Sequence, residues 1–188
     1  MIYTCITGNR DKPRKDVKMY WGFDKFKSPV LNAKFFKVLP HLVFNDEYSI
    51  WVDGNVFLKH PEEYYYQFLK DHDIAVLKHP IRTSIYEEAA VCLKWKKDNK
   101  IDIINQMNFY KNNYPNVSTP LVQLCAIVRR HTKQLNSKCE EWWAHINRFS
   151  FRDQISFPVV FNESPLVNIV NNNNHDNNDW FTRKMHIN

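Results

Sequence analysis

Short apolar runs along the chain alternate with longer polar stretches that carry helix signals. Residues 2–7 (IYTCIT), 17–23 (VKMYWGF), 48–52 (YSIWV), 73–77 (DIAVL) and 121–130 (LVQLCAIVRR) are rich in β-branched, aromatic and other apolar residues and read as strands. Ser28-Pro29 opens a helix that runs to about Leu39 and stops at Pro40. On it Val30, Leu31, Phe35, Val38 and Leu39 are expected to face inward, while Lys34, Lys37 and His41 form a basic face. Pro61 starts PEEYYYQFLKDH, with acids in the first turn to suit the helix dipole. Ser84 and Glu87 make a capping-box pattern ahead of SIYEEAAVCLKWKKDN, whose Lys97 is assigned to a solvated helix face. IDIINQMNFYKNN continues to Tyr114-Pro115, and KCEEWWAHINRF is amphipathic. No internal repeat interrupts the pattern. This alternation predicts an α/β single domain with a mostly parallel central sheet. Ligands in such sheets bind beyond the carboxyl ends of the strands. Residues 1–165 are expected to form the domain, and 166–188 an asparagine-rich loop and C-terminal tail.

Composition narrows the function. Lys plus Arg exceed Asp plus Glu by 26 to 20, so an anionic partner is favoured over a cationic one, with plain solubility as the alternative. Only three glycines occur, Gly8, Gly22 and Gly54, and none falls in a phosphate-binding glycine motif. Cys5, Cys92, Cys125 and Cys139 lack CxxC spacing and sit in apolar runs, which points to buried reduced thiols. No signal peptide and no apolar stretch long enough to span a bilayer is found, so a cytoplasmic location is expected.

The run YSIWV ends on Asp53-Gly54-Asn55, where the core should open. Two oxygen donors two residues apart can turn toward one hard cation, Mn²⁺ or Mg²⁺. The same residues also suit a tight DG turn closing a hairpin between YSIWV and VFL, and the two readings are compatible. Arg152-Asp153-Gln154 groups a base, an acid and an amide, with helix N-capping by Asp153 as the simpler explanation. His79, Arg82, Glu87 and Glu88 follow another strand end. Arg82 suits a phosphate, and Glu88 a sugar hydroxyl or the orientation of a base, against capping and surface pairing as the alternative. His72, His79, His131 and His145 show no metal-binding spacing, and no GxSxG serine motif is present.

Six segments together carry a resemblance: IYTCITGNRDKP, AKFFKVLPHLVF, YSIWVDGN, IAVLKHPIRTSIYEEA, INQMNFY and FRDQISF. In this order they resemble a glycosyltransferase-like domain of plant, bacterial and phage proteins, grouped with the GT-A nucleotide-diphospho-sugar transferases. The likeness covers roughly residues 2–160 and is most specific in WVDGN and RDQ. It implies a Rossmann-like GT-A fold in which Asp53 and Asn55 correspond to the metal-binding DxD motif. Asp153 and Gln154 look like the Asp-Gln pair beside the transferred sugar, with Glu88 added as a third catalytic candidate. The segment from Tyr3 through Thr7, Gly8, Arg10 and Asp11 would hold the nucleotide. Lys34 would face the diphosphate, and Lys37, Trp51, Asp53, Arg82 and Arg152 complete the donor-binding set. His186 is the expected third metal ligand. Asn55 departs from the full motif and removes one charge from the metal site, and the chain is short for the fold.

The reading that follows is a metal-dependent transferase, using Mn²⁺ or Mg²⁺, that moves a sugar from a nucleotide-diphosphate donor to a glycan, protein or lipid acceptor. Its rivals are a nucleotide-sugar-binding protein without transfer and a basic nucleic-acid-binding domain. Nucleic acid is the less expected partner, because the basic residues are spread along the chain without a recognition motif.

Overall fold

The computed structural model describes residues 1–8 and 11–186. A six-stranded sheet runs in the order β2 (Lys18–Tyr20), β1 (Ile2–Cys5), β3 (Tyr48–Val52), β6 (Val122–Arg130), β5 (Ile74–Lys78), β7 (Val167–Val170). β1 is parallel to β2 and β3, β5 is parallel to β7, and β6 is antiparallel to both β3 and β5. Only β6 therefore opposes the common direction, and the mostly parallel α/β architecture expected from the alternation is what the chain forms. The carboxyl ends of β1, β3, β5 and β7 consequently share one rim with the amino end of β6.

Both faces of the sheet are covered, which is why its central strands read as continuous apolar runs. Side chains alternate along β3, so Trp51 joins one core while Ile50 and Val52 join the other. The first core packs against α1 (Pro29–Val38), α5 (Lys133–Arg148) and α6 (Asp153–Val160). The second lies under α2 (Glu62–Tyr66) and a small sheet of β4 (Val56–Leu58) with β8 (Phe181–Arg183). A third cluster joins α6 to α3 (Ile85–Lys94) and α4 (Lys100–Asn113).

The helix starts follow local chemistry. Ser28 Oγ caps α1 through Leu31 N–H, with Pro29 at its first position, and Ser84 and Glu87 form the full capping box of α3. α5 begins at Lys133, ahead of the KCEEWW segment, because Thr132 caps it through Leu135 N–H. The four cysteines are buried and free. Among the described residues no helix is long and apolar enough to cross a membrane.

Three expectations are corrected. The Asp53–Asn55 turn forms, with Val56 N–H donating to Asp53 O at 2.9 Å, yet β3 and β4 do not pair as a hairpin. β4 pairs instead with β8, which lies in the segment read as a tail. That segment is structural: β7 extends the main sheet, and Trp180 and Phe181 are buried in the second core. On α1, Leu31, Phe35, Val38 and Leu39 pack in the first core as expected, but Val30 is exposed and Lys37, expected on a basic face, is buried.

Candidate active site

The shared rim carries a cleft of about 680 Å³ lined by Lys34, Lys37, Asp53, Arg82, Arg152, Asp153 and residues of the C-terminal segment. Asp53 continues β3 by one residue, its N–H donating to Cys125 O at 2.8 Å. Its Oδ1 accepts from Trp51 Nε1 at 2.9 Å and from Lys37 Nζ at 3.2 Å. Trp51 and Asp53 lie two residues apart on one strand face, so the buried indole can hold the carboxylate at the strand end. Gly54 leaves room next to it for Asp11: a Cβ there would stand 2.8 Å from Asp11 Oδ2, and that side chain would have to shift.

Asp153 is the centre of the charge arrangement. It is buried at the start of α6, with Oδ2 2.5 Å from Lys34 Nζ and 2.8 Å from Lys37 Nζ. The N-cap of α6 is Arg152 and makes no side-chain cap, so Asp153 is not the helix cap that its sequence position allows. Burial would raise the Asp153 carboxyl, but Lys34 and Lys37 outweigh it and hold the group well below the usual carboxylate range. Burial also drives the Lys34 ammonium down, to about 8, against the pull of Asp153. Lys37 is buried as well, but it faces both Asp153 and Asp53, and the two acids raise it. One acid shared by two lysines thus leaves the better-paired one firmly charged and the other close to titration.

A second charged unit flanks the first. Glu88, fully buried, accepts from Arg82 Nε at 2.6 Å and lies 3.6 Å from Arg152 Nη2. It is paired with the two arginines and is not itself among the residues lining the cleft. His79 accepts from the Ile81 and Arg82 backbone N–H groups. Burial, then Arg82, pushes its pKa down to about 4, which keeps it neutral. Gln154 lines the central cleft, donating to Val122 O at 2.9 Å while its oxygen stands 3.5 Å from Arg152 Nη2.

The family model of the TOD1/MUCI70 glycosyltransferase-like domain matches residues 23–178. The chain belongs to that family. It is 33% identical over 141 residues to the probable hexosyltransferase MUCI70 of Arabidopsis thaliana, covering 69% of this chain and 24% of that protein. It is 30% identical over 160 residues to the alkaline ceramidase TOD1 of Arabidopsis thaliana, covering 77% of this chain and 34% of that protein. The chain therefore spans about a quarter of the first relative and about a third of the second. A similar solved structure is the apo form of mouse xyloside xylosyltransferase 1, with a TM-score of 0.46 and 13% identity, covering 81% of this chain and 62% of that one.

This TOD1/MUCI70-family domain brings together the residues expected to hold a metal. Asn55 Nδ2 donates to Lys184 O at 2.8 Å and stands 3.4 Å from His186 Nε2. His186 Nδ1 lies 2.9 Å from Asp11 Oδ1. A proton on Nδ1, donated to Asp11, satisfies both contacts and leaves Nε2 with its lone pair, the form in which imidazole binds metal. Among the described residues no group of three or more His, Cys, Asp or Glu side chains is arranged to hold an ion. Asp53, Asn55 and His186 all line the central cleft, and it is the Asn55 amide nitrogen that faces His186 Nε2.

The remaining expectations divide. Thr7, Gly8 and Asp11 line a largely apolar cleft of about 840 Å³ beyond β1, together with Trp21 and Phe23. Arg10 lies outside the described residues. Tyr3 is not a nucleotide contact: it is fully buried in the first core, and its hydroxyl donates to Phe36 O at 3.1 Å. Trp51 is likewise almost fully buried and acts by holding Asp53. Lys97 lies beyond the end of α3 and lines the central cleft instead of a solvated helix face. Gln123, Arg183 and Lys184 also line it and were not anticipated. The TRK sequence at 182–184 was the available signal, hidden by its place in a segment that looks like a tail.

Proposed function

We propose that this domain transfers a glycosyl group from a nucleoside-diphosphate sugar to an acceptor hydroxyl. The observation that carries the reading is the central cleft itself, where Lys34, Lys37, Arg82, Arg152, Arg183 and Lys184 converge on one rim around an ionised, buried Asp153. The anomeric C–O bond to the diphosphate breaks with its electron pair passing to the phosphate oxygen, and the acceptor oxygen bonds to the same carbon as its proton leaves. Lysine and arginine groups fixed beforehand stabilise the charge that grows on the diphosphate. Asp153, which pairs with Lys34 and Lys37, would steady the positive charge that develops at the anomeric carbon. The apolar cleft beyond β1, with Trp21 77% exposed at its edge, suits the flat face of the base. Asp53, Asn55 and His186 would hold a divalent cation, which supplies further neutralisation of the diphosphate when bound.

The deciding experiment measures thermal stability with Mn²⁺, with a nucleoside diphosphate, and with both. The joint shift should exceed the sum of the separate ones, because ligands sharing a site couple. Asn55→Asp should strengthen the response to Mn²⁺. Additive shifts, or an Asn55→Asp protein indifferent to the ion, would remove the metal from the reading. Release of free diphosphate from nucleotide sugars by the same protein tests the transfer chemistry. Cleavage of ceramide in place of any nucleotide sugar would overturn it.

Lys34 adds a pH dependence. An anion bound beside it favours the charged ammonium, so affinity is full below about pH 8, where Lys34 is protonated, and falls as pH rises through that value. Lys34→Met should bind more weakly by roughly 1–3 kcal/mol and lose this step. A diphosphate titration that falls equally above pH 8 in both proteins would exclude Lys34 as the group responsible.

A further inference from the structure

Beyond the carboxyl ends of β5 and β7, on the same rim, lies another cleft of about 570 Å³. Its lining joins the rings of Tyr64 and Phe68, backed by the buried Trp180, to Asn171, Asn173 and Asp179 of the C-terminal segment. Tyr64 and Phe68 are half-buried, while Asn171, Asn173 and Asp179 are exposed. The partition from the central cleft is thin: Asn172, lining this cleft, donates to Oε1 of Gln123, lining the central one, at 2.8 Å. Gln123 in turn donates to His175 O at 2.7 Å, so the partition is fixed from both sides. His79 lines this cleft, and Arg82, whose N–H it accepts, lines the other.

We propose that this cleft is the acceptor site and that it takes a saccharide. The proposal rests on the transferase reading for its role, although saccharide binding itself does not depend on that reading. A sugar ring presents an aliphatic C–H face and a rim of hydroxyls that both donate and accept. Aromatic rings lining one cleft with planar amides and a carboxylate match those two aspects at once. A lipid chain would need apolar lining throughout, and the asparagine loop does not supply it. The volume lies within the range of about 300–1,000 Å³ usual for small-molecule sites. Three cavities then follow one another along the sheet rim, the apolar one at β1, the cationic one at β3 and β6, and the aromatic-amide one at β5 and β7. That order sets the proposed acceptor cleft next to the central one.

Nitrogen-resolved NMR of the full chain tests this, with soluble oligosaccharides of hexoses, pentoses and hexuronic acids as probes. At least one class should shift the side-chain amides of Asn171 and Asn173 while leaving Asn113, on α4, unmoved. The double variant Asn171→Ala with Asn173→Ala should bind that saccharide roughly tenfold more weakly. Silence from all three classes at these amides, or wild-type affinity in the double variant, overturns the proposal. Shifts there caused by a ceramide micelle or a peptide, and by no saccharide, overturn it too. A nucleoside diphosphate added to the wild type should move the Asp53 and Asp153 backbone amides. Failure in that arm counts against the donor reading and leaves the saccharide result standing.

Discussion

Asp153→Asn is expected to lower glycosyl transfer by roughly 10²–10³-fold, the scale of losing one preorganised electrostatic group, without weakening nucleoside-diphosphate binding. The two effects separate because they have different origins. Removing a carboxylate from a cleft that receives an anion does not penalise the ground state. It does remove the negative charge set against the cation that develops at the anomeric carbon, and such an interaction shows in the rate more than in binding. A capping role predicts the opposite result, since Asp and Asn cap helices about equally well. The structure already assigns the N-cap of α6 to Arg152. The variant should also be less stable, because Lys34 and Lys37 would face each other, buried, with no carboxylate between them. Parallel measurement of turnover, diphosphate affinity and unfolding checks all three. A folded variant with near wild-type turnover would take Asp153 out of the chemistry.

Lys37→Ala should destabilise the fold by about 3–5 kcal/mol, the range for removing one partner of a buried ion pair. Lys37 bridges Asp53 at 3.2 Å and Asp153 at 2.8 Å, so its loss leaves Asp153 with Lys34 and Asp53 with the Trp51 indole. For a chain of this length that corresponds to a fall in Tm on the order of 10 °C. Combining Lys37→Ala with Asp153→Asn should recover part of the loss, because the second change neutralises one of the two acids. A strictly additive double variant, or a single variant within about 1 kcal/mol of wild type, would mean that solvent reaches the pair and screens it. Diphosphate affinity should fall in both proteins, since the cation is gone from each.

The two charged units differ in what they ask of the chain. Asp153 with its lysines joins α1 to α6, elements far apart in sequence that meet only on one face of the sheet. Glu88 with its arginines joins the β5–α3 connection to the same helix start. Each buried acid therefore fixes cations that project into the cleft, and the cost of burying those charges is met within the fold before any ligand arrives.

Much of this was legible in the sequence alone. Capping residues, proline positions and apolar runs determined where α1, α3 and β1, β3, β5 and β6 form, because those signals act within a turn or two of the chain. The strand-helix alternation determined a mostly parallel sheet, and hence that Asp53 would emerge at a rim. The family likeness, carried by WVDGN and RDQ, identified a glycosyltransferase-like domain and directed attention to Asp53 and Asp153. Only the tertiary structure decided which side chains serve the cleft and which serve the core. Tyr3 went to the core because the alternating strand turns its ring toward α1, and Lys37 to the cleft because Asp53 and Asp153, carried by elements distant in sequence, meet its ammonium there. The C-terminal segment is the clearest case. Its asparagines carry no periodicity, and the short run LVNIV ahead of them and FTR after them are weak local signals for β7 and β8. They form because β5 and β4 offer unpaired edges, and because burying Trp180 and Phe181 removes large apolar surface from water. Those are long-range gains, and a pattern read along the chain does not contain them.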